Sequence, residues 1–142
     1  MTEKIDFSQT QKGELEGFFN RIADALRKSW SRETSCYLDW SEENPSAGQC
    51  EPTSLIIQDI CGGKILFNND NIGHYWNQLP NGDKIDFTFG QFKEGRLKIK
   101  AQGEASRDAM LNSDHPDNKI YYQGVERRYL LLKQEFQKHY QH

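Results

Sequence analysis

His74-Tyr75-Trp76-Asn77-Gln78-Leu79-Pro80-Asn81-Gly82-Asp83-Lys84-Ile85-Asp86-Phe87-Thr88 reads as two strands joined by a tight turn. The turn decides the register. A two-residue Asn81-Gly82 loop of type I′ would pair Pro80 with Asp83, but Pro80 has no N–H for the closing pair. A three-residue loop, Pro80-Asn81-Gly82, puts Pro at the first central position and Gly in the left-handed position that both favour. Leu79 then faces Asp83. Strand side chains alternate faces, so this register sets Asp86 opposite Trp76 and Thr88 opposite His74. His74 and Asp86 share a face as diagonal neighbours, within reach of each other. The two-residue loop would put them on opposite faces.

A thiol belongs to the same reading. Gly48-Gln49-Cys50 ends a turn-rich stretch, Asn44-Pro45-Ser46-Ala47-Gly48, and opens a helix. Residues 51–61 form that helix: Glu51 suits its positive end, Pro52 is tolerated in its first turn, and Gly62-Gly63 stops it. Leu55, Ile56, Ile57 and Ile60 make it a buried helix. A thiol at a helix start is exposed to the unsatisfied N–H groups there, which stabilise an anion, so a lowered pKa is expected for Cys50. Cys36 in a loop and Cys61 at a helix end read as structural. Thiol, imidazole and carboxylate, as Cys50, His74 and Asp86, are the groups nucleophilic thiol chemistry requires: attacker, proton carrier and orienter.

The remaining elements complete an α+β fold, a small antiparallel β-sheet with packed helices. Residues 11–30 read as an amphipathic helix with Leu15, Phe18, Phe19, Ile22, Leu26 and Trp30 inward. Lys64-Ile65-Leu66-Phe67 is a strand, His74 to Leu79 a second, Lys84 to Phe89 a third and Leu97 to Lys100 a fourth. Residues 106–112 form a short helix. Residues 124–139 form a last one with Tyr129, Leu130, Leu132 and Phe136 inward. The loop over 31–49 is long for a compact domain, and its place before Cys50 marks it as functional.

The chain has 142 residues, the size of one domain, so 1–142 is read as a single unit. Its 18 basic and 21 acidic residues leave a formal charge of −3. That balance provides no long-range field for nucleic acid. The alternation in Arg96-Leu97-Lys98-Ile99-Lys100 reads as a solvated strand face. No apolar run approaches the ~18 residues of a membrane span, and the start of the chain is polar. Three cysteines, an odd number without a secretory signal, point to free thiols in the cytoplasm. No CxxC or HExxH motif marks a zinc site, and no cofactor is expected.

Gly48-Gln49-Cys50, His74-Tyr75-Trp76-Asn77 and Asp86-Phe87-Thr88 resemble the cysteine, histidine and aspartate motifs of the transglutaminase-like branch of the papain-like superfamily. Over most of its length the chain also resembles the YunG family of uncharacterised bacterial proteins, on the stretches 44–50 and 74–80. The superfamily resemblance implies a papain-like core, with Cys50, His74 and Asp86 as nucleophile, base and orienter. It implies hydrolysis or transfer of acyl groups, on a peptide or small-molecule amide or ester. The Cys50 N–H is one oxyanion donor by position. Gln49, Asn44 and Trp40 are candidates for the second, with Gln49 first. Trp76, on the His74 face, is the better cleft wall than Tyr75. Two other readings stay open: a recognition module with an idle thiol, and a metal centre on Cys50, His74 and Asp86.

Overall fold

Two consecutive glycines turn the central helix into the sheet. Gly62 (φ 76°) and Gly63 (φ 77°) are both left-handed, and the Gly62 N–H closes the helix on Gln58 O at 2.9 Å. A Cβ on Gly63 would lie 2.1 Å from Gln78 O, so only glycine lets the chain pass this close to the neighbouring strand. The computed structural model describes residues 12–37, 40–69, 73–88, 100–112 and 124–140. Within them the elements are α1 (Lys12–Ser29), a 3₁₀ turn (Arg32–Thr34), α2 (Cys50–Cys61), β1 (Lys64–Asn68), β2 (His74–Gln78), β3 (Lys84–Ile85), β4 (Gly103–Glu104), α3 (Arg107–Leu111) and α4 (Val125–His139).

The sheet is antiparallel in the order β3-β2-β1-β4. Helix α2 lies between it and the other helices, touching β1 and β2 on one side and α4 on the other, while α1 packs on α4. Leu55, Ile56 and Ile57 are fully buried and Ile60 is 1% exposed. Burial of such a side chain stabilises by about 1.5–3 kcal/mol, so this run anchors the fold. Asn77 is the polar exception on the sheet face toward α2, and its amide donates to Ser54 O at 3.0 Å. Trp30, just past α1, donates from Nε1 to Thr53 Oγ1 at 3.0 Å and ties the first helix to α2.

The three-residue loop forms in the expected register. Leu79 N–H donates to Asp83 O at 2.7 Å, Gly82 takes φ 94°, and the ladder continues with Gln78 opposite Lys84 and Asn77 opposite Ile85. Other expectations are corrected. The third strand ends at Ile85 rather than Phe89, because the Asp86 carboxylate accepts from Thr88 N–H at 3.0 Å and turns the chain. β4, beside β1, occupies a stretch with no strand signature. The proposed strand over 97–100 lies largely outside the described residues, and Lys100, the part described, is not in a strand. Leu130 is 54% exposed, whereas Arg128 is buried in its stead on α4. No helix among the described residues is long and apolar enough to cross a membrane.

Candidate thiol site

The turn before Cys50 is held by one main-chain and one side-chain hydrogen bond from the 35–36 segment. Cys36 N–H donates to Gly48 O at 3.1 Å, and Ser35 Oγ donates to Ala47 O at 2.8 Å. Gly48 has φ 72°, and a Cβ there would lie 2.4 Å from Ser35 Oγ, so the two segments close only on glycine. Successive turns at Asn44 and Ser46 lead into Gln49, whose carbonyl accepts the Thr53 N–H at 3.1 Å and starts α2. Cys50 is therefore the first helical residue, 7% exposed, with its N–H at the helix start.

On β2, the His74 ring is almost wholly buried and stacks on Trp76, with ring centroids 5.5 Å apart and planes at 21°. His74 Nε2 lies 2.6 Å from Asp86 Oδ2. A carboxylate oxygen only accepts, so Nε2 carries the proton and Nδ1 is the basic nitrogen. Asp86 Oδ1 meanwhile accepts from both Thr88 N–H and Thr88 Oγ1, each at 3.0 Å. The next side chain, Phe87, turns the other way and meets Phe19 of α1 edge-on at 6.2 Å.

The early end of β3 brings the thiol into this neighbourhood. In an antiparallel ladder alternate N–H groups point to the same neighbour. Leu79 and Asn77 point to β3, and Tyr75 is the next in that row, but β3 has ended. The Tyr75 N–H instead faces the Cys50 thiol, one residue from His74. Asp86 is also near enough to act electrostatically on Cys50.

The expected lowering of the Cys50 pKa is reversed. Burial pushes the thiol well above its ordinary value, and the adjacent Glu51 carboxylate adds to the rise. The Tyr75 N–H pulls downward; Cys36 and Asp86 push up. Loss of water around the anion outweighs the helix start. The other thiols are raised too, Cys36 to about 11 and Cys61 to about 12, in both cases chiefly by burial.

Two of the candidate oxyanion side chains are committed to the loop. Gln49 is fully buried with Nε2 donating to Ser31 O at 2.9 Å, and its Oε1 has no hydrogen-bond partner among the described residues. Trp40 has one N–H, and it donates to Pro45 O at 2.8 Å. Asn44 uses its main chain, accepting from Ala47 N–H at 3.1 Å. The Cys50 N–H lies at the start of α2, and the Tyr75 N–H bears on the sulfur. Trp76 holds the His74 face as expected. The Tyr75 ring lies with Phe67 and Met110 at a cleft of about 230 Å³ on the other face. Among the described residues no group of His, Cys, Asp or Glu could hold a metal ion.

Sequence reasoning missed Arg128. It is fully buried, with Nη2 2.7 Å from Glu51 Oε1 and Nη1 donating to Thr34 O at 3.4 Å. The signal was its position: Arg128, Leu132 and Phe136 repeat at four-residue spacing along the inward stripe of α4.

The family described as YunG protein matches residues 19–141. The chain belongs to the YunG family. Uncharacterized protein YunG of Bacillus subtilis (strain 168) is 34% identical over 115 residues, which cover 80% of this chain and 87% of that relative. No solved structure matches the chain. The YunG match spans every element of the site, from the 3₁₀ turn to α4.

Proposed function

We propose that this member of the YunG family is a thiol-dependent hydrolase or acyltransferase with a papain-like, transglutaminase-like core, acting on an amide or ester of a peptide or small molecule in the cytoplasm. The observation that carries the reading is the 2.6 Å contact between His74 Nε2 and Asp86 Oδ2, with His74 next in the chain to Tyr75, whose N–H bears on Cys50.

The thiol is held neutral at rest, so the reaction begins with proton transfer rather than from a standing thiolate. His74 Nδ1 takes the proton as Cys50 Sγ attacks the carbonyl carbon. The imidazolium that forms is stabilised by Asp86. The carbonyl oxygen gains negative charge near the Cys50 N–H. His74 returns the proton to the leaving amine or alcohol, which departs and leaves an acyl-thioester on Cys50. Water or an amine then attacks the thioester, giving the acid or the transferred amide. The thiol leaves protonated.

Acyl-electrophile probes test this on wild type, Cys50→Ala and His74→Ala. The adduct should map to Cys50, vanish in Cys50→Ala and form on the order of 10²–10⁴-fold more slowly in His74→Ala. Adducts confined to Cys36, or an unchanged rate in His74→Ala, would remove the reading. One observation favours a second reading, a recognition module with an idle thiol: Cys50 is only 7% exposed and its pKa is raised. That reading expects Cys50 to react no faster than Cys61.

A further inference from the structure

Three parts of the chain converge on the first turn of α2, and a fully buried arginine joins them. Arg128 on α4 donates to Glu51 at 2.7 Å and to the Thr34 carbonyl at 3.4 Å, and the chain from Thr34 runs on to Cys36, which pairs with Gly48. Glu51 directly follows Cys50. A fully buried guanidinium is rare, and a buried ion pair is seldom a better glue than apolar side chains of the same volume. Stability alone does not account for its position.

We propose that Arg128 and Glu51 form a charge-positioning pair for Cys50, in which Arg128 neutralises the carboxylate beside the thiol and so keeps Cys50 within reach of a neutral imidazole base. The proposal rests on the thiol-enzyme reading and names a residue that sets its pH range. Several groups bear on Cys50. Glu51 lies on its own helix, Cys36 on the segment paired with Gly48, Asp86 beyond β3, and the Tyr75 N–H on β2. Glu51, Cys36 and Asp86 each disfavour the thiolate. Arg128 is bonded to the carboxylate next to the sulfur, and its charge also favours the ionised form of Cys36. A carboxylate left unpaired at that place would add its full repulsion to a thiol already deprived of water.

The pH dependence of Cys50 alkylation by iodoacetamide tests the pair, read peptide by peptide so that Cys61 serves as an internal control. Arg128→Met should slow Cys50 alkylation about tenfold at a fixed pH between about 7 and 9, the equivalent of moving its midpoint up by about one pH unit. Glu51→Gln should move it down by a similar amount. The double substitution Glu51→Gln/Arg128→Met should bring it back close to wild type, with Cys61 unmoved throughout. A structural role would alter melting temperatures while leaving the profiles in place. If Arg128→Met does not fold, Glu51→Gln alone decides, because it keeps the guanidinium and removes only the carboxylate charge. A Glu51→Gln profile that coincides with wild type overturns the proposal. The enzyme reading fails separately, through unchanged Cys50 labelling in His74→Ala, and that outcome leaves the profile shifts readable.

Discussion

Asp86 reaches His74 from outside the ladder: its Oδ2 stands 2.6 Å from the imidazole although β3 ended one residue earlier, at Ile85. Its other oxygen ends the strand by accepting from Thr88. One carboxylate thus stops β3, frees the Tyr75 N–H for the thiol, and fixes the imidazole tautomer.

That division of labour separates two substitutions. Asp86→Asn keeps an oxygen for Thr88 and offers His74 a donor in place of an acceptor, which selects the wrong tautomer. Cys50 labelling should slow on the order of 10²–10⁴-fold with the melting temperature nearly intact. Asp86→Ala loses the turn as well and should melt lower. Equal labelling rates in wild type and Asp86→Asn would make Asp86 a turn residue only.

Thiol reactivity should not follow exposure. Cys36 is the most exposed of the three thiols and is raised only to about 11, so chemistry without a base would alkylate it first near neutral pH. With His74 acting as base, Cys50 labels fastest despite its burial. Peptide mapping after brief iodoacetamide treatment gives the order, and Cys36 leading would show that no base assists Cys50.

Two glycines should respond differently to alanine. Gly82 has φ 94° and open space around a would-be Cβ, so Gly82→Ala costs only the left-handed conformation, about 1–2 kcal/mol. At Gly63 the same change drives a Cβ to 2.1 Å from Gln78 O, and the β1–β2 ladder must shift. Gly63→Ala should cost about 3 kcal/mol or more by chemical denaturation. Similar losses at both sites would contradict the close approach.

Alkali should loosen the fold through its thiols. Cys36 and Cys61 rise from 9.0 to about 11 and about 12 in the folded chain. A folded pKa above the unfolded one gives stability that is complete below pH 9 and lost as pH climbs through the folded values. The melting temperature should be flat to about pH 9 and then fall, more steeply once the raised tyrosines Tyr129 and Tyr140 join. Cys61→Ala should melt lower at pH 7 yet fall less steeply in alkali; parallel curves would rule out the thiol contribution.

Much of the sheet and site was legible because local chemistry dictated it. Pro80 forbade one turn and Gly82 permitted the other, so the pairing of Leu79 with Asp83 followed, and the chain leaving that register carries Asp86 to His74 from beyond the ladder. The Gly62-Gly63 stop and the apolar run of α2 were equally local. What stayed hidden depended on distant partners. β3 was overdrawn because a strand pattern does not reveal that Asp86 will accept from Thr88. Gly103-Glu104 became β4 only because β1 offered an edge. Arg128 escaped notice, although its spacing matches Leu132 and Phe136. The Cys50 pKa was misjudged because burial is a property of the assembled core.

Helix α2 has no solvent face along most of its length: Pro52 through Ile57, Ile60 and Cys61 are all buried. An element buried over most of its surface is held against fraying alone, so its core amides should exchange with deuterium only when the whole domain opens. The sulfur is therefore mounted on the most slowly yielding part of the molecule. In the proposed reaction, adjustment to an incoming ligand would fall to the loops around the sulfur, and Cys50 would be the fixed point against which ligands of different shape are measured.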